Sequence, residues 1–238
     1  MKKSRSTPRE VLRYLYQLTV LTALVYAMDS RSAENRPRAG GKTGWKQRLV
    51  RLPTDVRLAV LLVALPWLVY LLDWLIDTDL RRFGIRPGRL DGLPGIIASP
   101  FIHGEFSHLL ANSGALLVLL VLSLSFSRRL TAAALLIITW FGGSLVWCFA
   151  PPGSIHIGAS GTIYGLISYL ICIGVFRRER AALIISLAVF LFYEGMLTAL
   201  FIAAPGVSVA GHAFGLLAGL LAGLWVGARG VPARWTSD

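Results

Sequence analysis

Charge is scarce in this chain, and acid is scarcer than base. Of 238 residues only 15% are charged, with 12 Asp and Glu against 24 Lys and Arg, whereas a soluble domain is about a quarter charged. So little charge excludes an ordinary water-soluble globule, and a mean hydropathy of +0.64 points to a membrane. Only two cysteines are present, Cys148 and Cys172. They exclude a disulfide framework, and their different depths in neighbouring apolar stretches argue against a bridge between them. Metal-binding patterns are missing as well. There is no His-Glu-x-x-His and no Cys/His cluster, and Glu105 is the only acid close to the histidines, so neither a metal nor another cofactor is expected. No internal repeat is visible, which disfavours the paired halves of a transporter.

What the chain does have is long apolar runs. Six of them, at 58–76, 108–126, 131–149, 160–176, 182–203 and 211–228, are long enough or nearly so to cross ~30 Å of hydrocarbon as helices. The expected fold is therefore an all-α membrane protein of six transmembrane helices. The net charge of +12 does not call for nucleic acid, because it is distributed by topology. Twelve Lys and Arg precede Arg57, and the rest of one set falls at Arg128, Arg129, Arg177, Arg178, Arg180, Arg229 and Arg234. The opposite side of a six-span chain holds only Arg81, Arg82, Arg86 and Arg89. The positive-inside rule then predicts that both termini are cytoplasmic.

Three regions follow. Residues 1–56 are a basic cytoplasmic tail, 57–229 a membrane domain and 230–238 a short cytoplasmic tail. Within the first, 30–48 reads as a polar linker. Residues 11–28 carry apolar positions at helical spacing interrupted by Arg13, Gln17 and Thr19; an amphipathic helix, an extra span and a signal sequence all remain open. The loop at 77–107 contains Leu93, Ile96, Ile97, Phe101 and Ile102, too apolar for a freely solvated connector, and is expected to rest partly in the outer leaflet.

Polar islands interrupt the apolar runs. Ser160 lies in Gly158-Ala159-Ser160-Gly161, His212 follows Gly211, and His103, His108 and Asn112 precede or open the second run. Ionisable groups within spans are costly and mark function by default. Counted from the cytoplasmic arginines, Ser160 is 17 positions from Arg177, His212 is 17 from Arg229, and Asn112 is 16 from Arg128. At ~1.5 Å per residue the three share one depth in the outer part of the core, with His108 about a turn higher. Gly211, Gly215, Gly219 and Gly223 form one small face on the last run, and Gly161 and Gly165 offer a matching face. Such faces are ordinary close-packing surfaces; here they would also bring Ser160 and His212 within hydrogen-bond reach. A serine beside an imidazole is a general-base-activated nucleophile. Ser160 opens a helix, whose unpaired N–H groups suit a developing oxyanion. His108 and Asn112, at i and i+4, share a face from which both could donate to it. Tyr164, one turn below Ser160, could stack on His212. His103 is read as a loop-structuring residue, and Glu194 stays without an assigned role.

These residues resemble the rhomboid family of intramembrane serine proteases. The matches are His103-Gly104-Glu105-Phe106-Ser107-His108-Leu109-Leu110-Ala111-Asn112, Gly158-Ala159-Ser160-Gly161-Thr162-Ile163-Tyr164-Gly165, and Gly211-His212-Ala213-Phe214-Gly215 through Gly219. The resemblance covers roughly residues 58–228 and implies a rhomboid-like bundle with a Ser–His dyad and no acid. Ser160 would be the nucleophile and His212 the base. His108, Asn112 and the Ser160 N–H would form the oxyanion hole, with Tyr164 packing on His212. Substrates would be single-span membrane proteins cut in or near the outer part of the span. One feature departs from the family: where many members carry an aromatic-Arg pair in the first loop, this chain has Pro94-Gly95. A catalytically silent client-binding relative would lack Ser or His, and both are present. The setting expected is a bacterial inner membrane, with the active site opening to the outer face.

Overall fold

The computed structural model describes residues 54–177, 180–200 and 207–228. The ambiguous segment at 11–28, the linker at 30–48 and the tail at 230–238 lie outside the described residues.

Every regular element in that range is a helix. Helix α1 spans Thr54–Leu75. The first loop folds into three 3₁₀ turns (Leu80–Phe83, Leu90–Gly92, Ser99–Phe101) and a short α2 (Gly95–Ala98). Helix α3 is Phe106–Phe126. The third rod is composite, with α4 (Arg128–Ile137), a π turn (Ile138–Gly142) and α5 (Gly143–Phe149) in line. Helices α6 (Ser160–Arg177), α7 (Arg180–Ala199) and α8 (Val209–Ala228) complete it. No strand occurs among the described residues, only an isolated bridge between Ile85 and His156.

Four rods, Thr54–Leu75, Phe106–Phe126, Arg128–Phe149 and Val209–Gly227, are long and apolar enough to cross a membrane; Ser160–Phe176 and Ala182–Thr198 are apolar but shorter. Several boundaries differ from the sequence reading. The first helix already takes in 54–57, ahead of the apolar run at 58, and Asp55 within it pairs with Arg128 at the start of α4. The third rod begins at Arg128 rather than 131 because the Ser127 hydroxyl accepts from the Leu130 N–H and caps it. The fifth helix ends at Ala199.

Helix α6 occupies the centre. Its residues from Ile163 to Leu170 are buried on every side, as expected for a helix apolar all round. It packs on α8, α7, α3 and the π turn. The α6–α8 contact is glycine-mediated: a Cβ on Gly215 would collide with the Gly161 carbonyl, and one on Gly219 with the Gly165 carbonyl. Gly165 in turn receives Ile138 of the π turn, 2.6 Å from where a Cβ would stand. Outward-facing positions such as Leu61, Leu68, Leu136, Trp140, Leu187 and Phe190 are exposed, the pattern expected where hydrocarbon replaces water as solvent. Helix α1 leans on α3 through Trp67, whose indole N–H donates to the Ser113 hydroxyl at 2.8 Å.

The first loop is packed onto the bundle. Ile85, Ile96 and Ile102 are buried, and the Gly88 N–H donates to the Trp147 carbonyl while the Trp147 indole donates to the Arg89 carbonyl. Pro94-Gly95 belongs to this packing, with Gly95 pressed against the Gly84 backbone. An Arg–aromatic pair does exist nearby, since the Arg82 guanidinium lies 4.9 Å from the Phe83 ring centroid.

Candidate active site

Ser160 is the first residue of α6, and the turn that delivers it depends on Gly158. Its φ of +105° is a conformation that side chains strongly disfavour. Space is tight as well, because a Cβ there would stand 2.9 Å from the His108 ring and force it to shift. The turn is tied down by backbone donors: the Gly158 N–H to the Ser99 carbonyl at 2.8 Å, and the Ala159 N–H to His103 Nε2 at 3.3 Å.

His212 sits one turn into α8. Ser208 caps that helix, its hydroxyl accepting from the Gly211 N–H at 3.0 Å, and the His212 N–H closes the first turn on the Ser208 carbonyl. With glycines at the helix contact, His212 Nε2 reaches Ser160 Oγ at 2.9 Å. Both residues are buried, 9% and 7% exposed. The other ring nitrogen, Nδ1, is buried with no hydrogen-bond partner among the described residues. Glu194, on the exposed side of α7, therefore does not complete a triad with it. Tyr164 stacks on the imidazole, ring centroids 4.3 Å apart and planes 18° from parallel. The tyrosine is itself fixed, its hydroxyl donating to the Met196 carbonyl near the end of α7.

His103, His108 and Asn112 gather on the other side of the Gly158 turn. His103 is 2% exposed, and its Nε2 accepts from both the Asn112 amide at 3.0 Å and the Ala159 N–H. An acceptor at Nε2 requires the neutral ring with its proton on Nδ1. Burial first, and the nearby His108 second, push His103 down to about 4, so the acceptor form holds at neutral pH. His108 packs edge-on against His103, centroids 5.3 Å apart. One amide hydrogen of Asn112 is thus spent on His103, and the second is available for a ligand.

Sequence reasoning named Ser160, His212, His108, Asn112, Tyr164 and His103, and the structure brings all six into one cluster with Gly158, Gly161 and Gly215. It missed Ser99, Ser208 and His156, which tie the loops around the cluster. The signal for His156 was only its place four residues before Ser160; for the two serines there was none. A cavity of about 50 Å³ adjoins Ser160, lined by Gly161, His156, Ser208, Gly211 and Gly215 among others. No group of three or more His, Cys, Asp or Glu able to hold a metal occurs among the described residues, and both cysteines are free.

The arrangement is a hydroxyl with a base at hydrogen-bond distance and amide and imidazole groups on its far side, which suits acyl transfer. Similar chains exist in mycobacteria. Uncharacterized proteins of Mycobacterium bovis and Mycobacterium tuberculosis are each 38% identical over 185 residues, 72% of this chain and 75% of theirs. One of Mycobacterium leprae is 37% identical over 170 residues, 67% of this chain and 66% of its own. The sequence profile of the Rhomboid domain matches residues 92–229, a stretch that holds the whole cluster from His103 to His212. The chain belongs to the rhomboid family, a family of intramembrane proteases.

Proposed function

We propose that this protein is an intramembrane serine endopeptidase in which Ser160 is the nucleophile and His212 the general base, without an acidic third member. The observation that carries the reading is the 2.9 Å contact between His212 Nε2 and Ser160 Oγ, made at the buried junction of two helices that glycines allow to touch. His212 Nε2 takes the hydroxyl proton as Oγ attacks a substrate carbonyl carbon, and the imidazolium then returns it to the leaving amine. The oxyanion develops against the Ser160 N–H, unpaired as the first donors of any helix are, the second amide hydrogen of Asn112 and the His108 ring. Water then attacks the acyl ester with His212 as base again, releasing the carboxylate and restoring Ser160. The cavity beside Ser160 is large enough for water.

The substrates in this reading are single-span membrane proteins, cleaved in or near the outer part of the span. Residues 57–229 form the six-span protease domain in a bacterial inner membrane, with both tails cytoplasmic and the site opening outward. Support comes from the twelve basic residues before Arg57 and from the few on the opposite side.

Labelling with a fluorophosphonate in mild detergent tests the dyad. Wild type is expected to become covalently modified, and Ser160→Ala and His212→Ala are not. A folded, monodisperse wild type that takes no label would instead indicate a client-binding protein.

A further inference from the structure

His156 is the one histidine outside this scheme, and it is the most connected. The residue is 9% exposed, and its ring bridges two hydroxyls: Nδ1 lies 2.6 Å from Ser208 Oγ and Nε2 lies 2.8 Å from Ser154 Oγ. The direction of each bond follows from the partners. The Ser154 hydroxyl donates to the Pro151 carbonyl, so it accepts from His156 Nε2, which carries the proton of the neutral ring. Nδ1 is then the acceptor, and the Ser208 hydroxyl, which itself accepts from the Gly211 N–H, donates to it. The backbone of His156 meanwhile pairs both ways with Ile85 at 3.0 Å. Three segments meet at one residue: the first loop, the loop that enters α6 four residues later at Ser160, and the cap of α8 four residues before His212.

We propose that His156 is a positioning residue for His212, setting the α8 cap relative to the loop that delivers Ser160. This rests on the dyad reading. Glycine contacts set how closely α6 and α8 approach, and further along the pair the Ser168 hydroxyl ties them by donating to the Leu216 carbonyl at 2.7 Å; the first turn of α8 has its own tie through Ser208. The base must hold its nitrogen in line with Ser160 Oγ. Ser208 is the first fixed point of α8, and the His212 N–H bonds to its carbonyl. A shift of Ser208 therefore carries the imidazole with it, and misplacement by about 1 Å can cost ~10²-fold in rate. An imidazole suits the task because it accepts on one side and donates on the other from a rigid ring. Glutamine also offers an acceptor and donors, on a more flexible arm.

The experiment is the time course of fluorophosphonate labelling at several probe concentrations, which separates kinact from KI. His156→Ala is expected to lower kinact about 10- to 100-fold with KI changed less than about twofold. His156→Gln should recover most of the loss. Ser208→Ala should lower kinact at least as much, and adding His156→Ala to it should cost little more, since the ring acts through that hydroxyl. A merely structural role would reduce the labelled fraction and the melting temperature while the remaining folded protein reacted at the wild-type rate; that result overturns the proposal. So do multiplicative losses in the double variant. If His156→Ala does not fold, Ser208→Ala with and without His156→Gln carries the same comparison. A folded wild type that does not label overturns the dyad and this proposal together. Wild-type labelling matched by His156→Ala overturns the proposal alone.

Discussion

Single residues in this site are held by partners that leave them little freedom, and the partners say what each substitution should do. Asn112 spends one amide hydrogen on His103 and keeps one that the proposed mechanism directs at the oxyanion. Asn112→Ala is therefore expected to lower the rate of substrate cleavage ~10²- to 10³-fold, the cost of one oxyanion donor, with the protein still folded. Cleavage at the wild-type rate would remove Asn112 from the hole. His103 makes a pH prediction. Burial, and then His108, hold it at about 4 against an ordinary 6.5, and burial lowers His156 as well. Because both are depressed in the folded state, the native protein binds fewer protons than the unfolded chain. The His103 contribution to stability is complete above about 6.5 and declines as the pH falls towards about 4, and that of His156 declines in the same direction. The melting temperature in detergent should fall across that window, and His103→Gln, which cannot titrate, should fall less steeply.

At the scale of elements, the decisive contact is between α6 and α8. A Cβ on Gly219 would meet the Gly165 carbonyl, which is backbone, whereas the nearest atoms to a Cβ on Gly165 belong to the side chain of Ile138. Backbone cannot step aside without moving a helix, but a side chain can be shortened. Gly219→Ala is expected to separate the helices, lowering both melting temperature and labelling rate. Gly165→Ala should be rescued in part by Ile138→Ala, and Gly219→Ala should not. Melting temperatures of the two double variants decide this, and equal rescue would mean that the π turn is not what Gly165 accommodates. The π turn itself left no trace in the sequence. Its cause lies in the packing, where Ile138 fills the notch at Gly165 and Gly142 lies 3.3 Å, by its notional Cβ, from Ala218 and the Phe214 carbonyl.

For the whole molecule, the governing quantity is the distribution of charge about an apolar bundle. A cysteine placed at Arg89 in a Cys148→Ala background should react in intact cells with a membrane-impermeant maleimide, and one at Arg178 only after lysis. The reverse pattern would invert the topology and put the active site on the cytoplasmic face. The first loop also belongs at this scale. Its Ile85, Ile96 and Ile102 are buried against the bundle while Phe83, Leu90, Leu93 and Ile97 remain exposed, so it is anchored to protein on one side and offers an apolar surface on the other.

Much of this was written in the sequence because the bilayer simplifies the code. Hydrocarbon forces helices and penalises every polar group, so apolar runs marked the rods to within a few residues, and Ser160, His212, His108 and Asn112 stood out against them. The glycine faces were legible for the same reason, since four-residue spacing on a helix has one steric meaning. What the tertiary structure decided was everything that depends on two loops meeting. Gly158 reads as a small residue until its positive φ is seen and the His108 ring is found against the place of a side chain. His103 reads as a loop histidine until Ala159 and Asn112 converge on its Nε2, and His156 has no visible role until Ser154, Ser208 and Ile85 surround it. Loops carry no periodicity, and their hydrogen bonds join residues about 50 positions apart, so their partners follow only from the packing of the helices that present them.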